Sequence, residues 1–276
     1  LGACEGAVTV EIQGDAPAAD GVLTLALEQL TLTRVDGGTQ TFDLDQTLRL
    51  DTDGPTPLRL LDGETIGEGE YTAFAVRINA LDSRFDQDGA GPDAERVISG
   101  SAVTATTDNR RVRIREDESI SITLHLAGLP SLPQPGIGEI EQVLRPQMDV
   151  ARTDQSSPVT VTLDAPNALQ TFCADVDPAD KLPRLYVFTA DDSTQNDDMD
   201  GVDDARRVVL VSSTSNGVRT WRLPRLPHDD YRLALSCDLD DPGRDESITF
   251  FCPVSTAVEG ARTIVLDQDS PSLDCL

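Results

Sequence analysis

Val8-Thr9-Val10-Glu11-Ile12-Gln13 alternates apolar and polar side chains with a period of two. Successive side chains of a strand point to opposite faces, so this stretch reads as a half-buried β-strand and not as a helix. Asp15-Ala16-Pro17 breaks it. The same texture returns at 39–44, 71–78, 97–106, 111–115 and 119–126, punctuated by Gly and Asp. Short strands at short intervals, with no long amphipathic helix between them, predict an antiparallel sandwich or barrel.

Leu23, Leu25 and Leu27 alternate in one phase, and Leu30 and Leu32 continue in the other. A one-residue slip turns a strand over, so both sets face a core only if a bulge falls near Glu28 and Gln29. A helix is the competing reading, since Leu23, Leu27 and Leu30 also fit its spacing, but the threonine-rich surroundings favour strand. Between 128 and 158 the texture changes. Pro130, Pro133, Pro135, Pro146 and Pro158 interrupt it, and Ile140, Val143 and Leu144 hint at one helical turn before Pro146. A last strand near 148–151 closes the first domain. Seven further strands read at 159–163, 185–189, 208–212, 218–223, 231–237, 248–254 and 263–266, a number that suits a sandwich. The expected organisation is an N-terminal anchor at 1–5, a domain at 6–152, a linker at 153–157 and a second domain at 158–276. The fold class is all-β, with two antiparallel β-sandwich domains in tandem. The length of 276 residues suits two domains, because domains most often run roughly 100 to 150 residues.

The chain carries 49 Asp and Glu against 22 Lys and Arg, a formal charge of −27. That field repels phosphate backbones and excludes nucleic acid as a partner. Lys181 is the only lysine, and strongly acidic, lysine-poor surfaces resemble those of salt-adapted organisms. Such a surface keeps a protein soluble without any binding site behind it. No run approaches the roughly 18 apolar residues that span a bilayer as a helix. Leu1-Gly2-Ala3-Cys4 resembles instead the lipobox at which bacterial lipoproteins are cleaved and acylated. The expectation is a lipid anchor on Cys4, two or three chains at about 0.8 kcal/mol per buried methylene being enough to hold a protein stably. Glu5 follows the anchor, and lipoproteins lacking Asp there resemble those passed to the outer membrane, facing periplasm or exterior. Cys173, Cys237, Cys252 and Cys275 all fall in the second half. Four cysteines confined to one exported domain read as two disulfides, of which three pairings are open.

The first half of the chain resembles the N-terminal domain of a bacterial and archaeal lipoprotein family known only as a domain of unknown function. The pieces are the opening from Gly6 to Pro17, the strand from Leu25 to Val35, the Leu60-Leu61-Asp62-Gly63 turn, the strand at Tyr71, the strand from Ser119 to Leu126, and Leu144-Arg145-Pro146. Some members are similar further along, with an early cysteine and an L-x-C before an acidic loop, as in Leu235-Ser236-Cys237-Asp238-Leu239-Asp240-Asp241-Pro242. That resemblance implies a bridge from Cys173 to Cys237 and another from Cys252 to Cys275. In the second half, Leu226-Pro227-His228-Asp229-Asp230-Tyr231 resembles the lead-in to a strand in carboxypeptidase-regulatory-like, prealbumin-type modules. Ile66-Gly67-Glu68-Gly69-Glu70-Tyr71 is a looser echo. In both, the tyrosine is placed to pin a strand corner through its hydroxyl.

The richest acidic loop runs from Asp191 to Asp204. Asn196, Asp198, Asp200 and Gly201 match the first half of a calcium loop, where alternate side-chain oxygens wrap a hard cation. Arg207 stands where the bidentate Glu of an EF-hand belongs, so a Ca2+ site here needs Asp203 or Asp204 to close it. The competing reading is a solvated acidic loop. Weaker candidates are Asp86-Gln87-Asp88-Gly89 with Asp93, and Asp238, Asp240, Asp241 and Asp245. His125 shares a phase with Ser121 and Thr123, opposite Ile122, Leu124 and Leu126, and is expected to face solvent. His228 reads as a turn residue and Trp221 as core. No nucleophile elbow, zinc-protease or phosphate-loop motif occurs, and the expectation is a protein that is not an enzyme. It is an envelope module for structure, adhesion or ligand binding, by self-assembly or with a protein or glycan partner. The alternative is a calcium-dependent carbohydrate- or peptide-binding accessory lipoprotein.

Overall fold

The computed structural model describes residues 5–14, 21–51, 56–87, 95–99, 103–107, 111–127, 142–143, 147–163, 184–190, 207–210, 213–215, 218–236 and 251–266. The protein is all-β, built of sandwiched, mostly antiparallel sheets, and divides into two compact units, Leu1–Asp154 and Gln155–Leu276.

The first unit contains β1 (Glu5–Gly14), β2 (Gly21–Arg34), β3 (Thr39–Leu50), β4 (Leu58–Gly67), β5 (Gly69–Gln87), β6 (Glu95–Ser99), β7 (Val103–Thr106), β8 (Val112–Ile114), β9 (Ser119–Ala127), β10 (Gln142–Val143) and β11 (Gln147–Arg152). One sheet has the order β11-β9-β1-β4; the other runs β10-β6-β5-β2-β3, with β7 and β8 also paired to β5. Alternation decides what each strand buries. Val8, Val10 and Ile12 of β1 join Ile122, Leu124 and Leu126 of β9 in one core with Leu23, Leu25, Leu27, Leu30 and Leu32 of β2. Each such side chain contributes roughly 1.5–3 kcal/mol on burial. The phase change in β2 is absorbed where expected, at a register shift between Leu27 and Gln29 against both β3 and β5.

Three local expectations change. The strand expected at 97–106 is two elements, because β6 pairs with residues 84–86 of β5 and β7 with residues 75–78. Gln142 and Val143 are extended and pair in parallel with β6, so the helical hint of Val143 is not realised there. The stretch 58–67 is a strand, with Gly63 at φ +68 supplying the left-handed turn that its register shifts against β1 require.

The second unit contains β12 (Ser156–Leu163), β13 (Arg184–Thr189), β14 (Arg207–Leu210), β15 (Ser213–Ser215), β16 (Val218–Pro227), β17 (Asp229–Ser236), β18 (Phe251–Val258) and β19 (Arg262–Leu266). Its sheets have the orders β15-β16-β12-β19 and β14-β13-β17-β18. Trp221 is fully buried beside Val161, Leu223 and Leu233. Of the residues expected as a linker, Thr153, Asp154 and Gln155 form a 3-10 turn, and Ser156 and Ser157 begin β12.

The two units share one wiring. The first strand of each, β1 or β12, lies between an antiparallel neighbour, β4 or β16, and a parallel one, β9 or β19. Registers correspond: Gly6 pairs with Ile66 and Val10 with Ile122, as Ser157 pairs with Leu226 and Val161 with Ile264. Each antiparallel neighbour then runs through a short corner into the opposite sheet, as β5 or β17, which pairs with β2 or β13. The parallel pairs are the departure from a wholly antiparallel arrangement, and alternation along a strand carries no sign of its partner's direction.

Candidate functional site

The two corners are the most closely matched polar features of the units. Tyr71 Oη donates to the Gly67 carbonyl at 2.7 Å, and Tyr231 Oη donates to the Pro227 carbonyl at 2.8 Å. Both rings are buried, and burial raises the Tyr71 hydroxyl above its ordinary pKa, so it remains a donor. Each bond satisfies a carbonyl that the turn between sheets takes away from the ladder.

The corners differ in what else holds them. In the second unit His228 N–H donates to the Gln155 carbonyl at 2.9 Å, and its Nε2 lies 2.8 Å from Ser157 Oγ. A serine and a histidine at this distance are the first two members of a nucleophilic triad. Here Ser157 is a buried ladder residue, and the contact ties the corner to β12. At the corresponding place the first unit has Gly6, where a Cβ would come within 2.7 Å of the Arg115 carbonyl. The close backbone packing there leaves no room for a serine.

His125 does not face solvent as expected; it is 0% exposed. The phase was right and the exposure wrong. β9 lies inside its sheet, between β1 and β11, and its second face is covered beside β11, where Thr123, Asp149 and Ala151 are also buried, and exposed at Ser119 and Ser121. Gln13, His125 and Asp149 occupy one row across β1, β9 and β11, with Gln13 and Asp149 each 2% exposed. Gln13 Nε2 has no hydrogen-bond partner among the described residues. Register was the signal for this row, because all three sit on the polar phase of their strands. It is sealed from solvent, which suits it to fixing strand order and not to receiving a substrate.

Arg152 forms the third polar assembly. It donates to Glu118 Oε1 at 3.0 Å, to Asp154 Oδ2 at 2.9 Å and to the Arg113 carbonyl at 3.2 Å, joining β11 to the β8–β9 turn. The hydrogen bond from Arg152 holds the Glu118 carboxyl below its usual range, and the bond to Asp154 leads in raising the guanidinium.

The lipidation residue Cys4, the cysteines Cys173, Cys237 and Cys275, and the calcium candidates Asn196, Asp198, Asp200, Asp203 and Asp204 lie outside the described residues, as do Asp88, Asp93, Asp238, Asp240, Asp241 and Asp245. Cys252 lies on β18, where the backbone alone is described. Among the described residues no group of three or more His, Cys, Asp or Glu could hold a metal ion.

No protein-family model matches the chain, and no curated protein matches it. Among solved structures it is similar to a leucine-rich repeat protein from Bacteroides thetaiotaomicron, at 11% identity and a TM-score of 0.24, covering 96% of this chain and 26% of that one. The chain thus spans about a quarter of that protein's length. It is similar to the fimbrial anchor protein Mfa2 from Porphyromonas gingivalis, at 12% identity and a TM-score of 0.19, covering 84% of this chain and 78% of that one. It is also similar to the shaft pilin spaA from Lactobacillus rhamnosus GG, at 9% identity and a TM-score of 0.19, covering 96% and 98%.

Proposed function

We propose that the chain is a non-enzymatic protein of the cell envelope, lipid-anchored through Cys4 at the outer membrane and acting as a structural or adhesive module. The observation that carries this reading is the use the fold makes of its polar side chains. His125 is sealed inside a sheet, the His228 ring is tied to Ser157, and both corner tyrosines spend their hydroxyls on backbone carbonyls. These groups build a frame instead of converging on a cleft. The Leu1-Gly2-Ala3-Cys4 order supplies the anchor, and bridges from Cys173 to Cys237 and from Cys252 to Cys275 would brace the second unit.

The test is detergent partition of the chain expressed in a bacterial host, with mass spectrometry of the N-terminal peptide. The wild-type chain is expected in the detergent phase with acyl mass on Cys4, and Cys4→Ser in the aqueous phase. Wild-type and variant both aqueous, with Cys4 unmodified, would overturn the anchor.

A further inference from the structure

The outer side of β19 is where the two units part. In the first unit the corresponding strand, β9, is covered by β11, which pairs antiparallel with it from Gln147 to Arg152. Among the described residues of the second unit, β19 pairs with β12 and with nothing beyond it. Corresponding positions also differ in exposure. Ile122 and Thr123 are 0% and 3% exposed, whereas Ile264 and Val265 are 7% and 61% exposed.

Proteins blunt an open strand edge with charges, bulges, proline or brevity. β3 carries Asp43, Asp45 and Arg49, β4 has Arg59, Asp62, Glu64 and two register shifts, and β18 carries Pro253. β14 and β15 run four and three residues. β19 reads Arg262-Thr263-Ile264-Val265-Leu266, with no acid, no proline and no register shift against β12.

We propose that this edge receives an extended strand from another protein chain, antiparallel to β19, in the place that β11 fills in the first unit. Pairing of the freed N–H and C=O groups supplies affinity, and alternate side chains supply selection. Charge settles the kind of partner. A second copy brings the same −27 and is repelled. Arg262 is the edge's one charge and Glu259 and Asp267 flank it, so the incoming strand is neutral or basic, as β11 is in ending on Arg152. The proposal rests on reading the chain as an envelope module, but not on the anchor at Cys4, whose test is separate.

The experiment is amide hydrogen exchange on the full chain with a synthetic peptide of residues 146–153, which carries the β11 sequence, and with a scrambled peptide. The expected result is slowed exchange in β19 with the β11 peptide alone, weakened about tenfold or more by Val265→Lys, an edge lysine at an exposed position. Three results would overturn the proposal: no protection by the peptide, β19 amides already slow on both sides in the free chain, or protection that appears with protein concentration and without peptide.

Discussion

β9 and β19 hold the same position, parallel to the first strand of their unit, and they live in different surroundings. β9 is an interior strand whose second face is covered from Thr123 to His125, and its buried histidine stands in register with Gln13 and Asp149. Among the described residues β19 is a border strand, and Val265, where β9 has Thr123, is exposed. Among the described residues, one wiring therefore places the parallel strand inside its sheet in one unit and at the sheet's edge in the other. Among the described residues the sheets differ in their outer strands, β11 beside β9 in the first unit and β15 beside β16 in the second, while the cores use the same alternation of Val, Ile and Leu.

If the units are independent bodies of one design, a core lesion in one spares the other. Trp221→Ala is expected to cost the second unit about 3–5 kcal/mol, and calorimetry should show one transition lowered and the other unmoved. A shift of both transitions by the same amount would join what the comparison separates. The corners come next. Tyr71→Phe and Tyr231→Phe each leave a turn carbonyl without its donor, at a cost of about 1–3 kcal/mol. The two costs are expected to agree within about 1 kcal/mol, measured by urea unfolding of each unit's transition. A large loss at one corner with none at the other would break the equivalence.

The smallest effect is in acid. Glu118 has its pKa lowered in the folded chain by Arg152. Its contribution is therefore fully present above the unfolded value of about 4.3 and is lost as pH falls through the lowered folded value. The pair is partly exposed, so the loss is on the order of 1 kcal/mol or less. Glu118→Gln is expected to flatten that part of the first unit's stability profile between neutral pH and pH 3. An unchanged profile would show that Glu118 adds nothing to stability through Arg152.

Features written in one strand's own alternation were legible in the sequence. The bulge after Leu27 followed from a phase change that two leucine sets made unavoidable, and both corner tyrosines stood out by their place after a tight turn. Features that depend on which strand lies next door were not. His125 had the phase of a surface residue, and its burial required knowing that β11 and β1 flank β9. The parallel pairs and the split between β6 and β7 belong to the same class, because partner and direction are long-range facts. The resemblance gives Leu60-Leu61-Asp62-Gly63 as a turn, and in the fold Gly63, in a left-handed conformation, lets β4 continue past a register shift.

Native-state amide exchange in the free chain at low concentration separates an interior β9 from an edge β19. Slow exchange is expected along all of β9, and in β19 an alternation of slow amides bonded to β12 with fast ones facing outward. Uniform protection of β19 equal to that of β9 would contradict it.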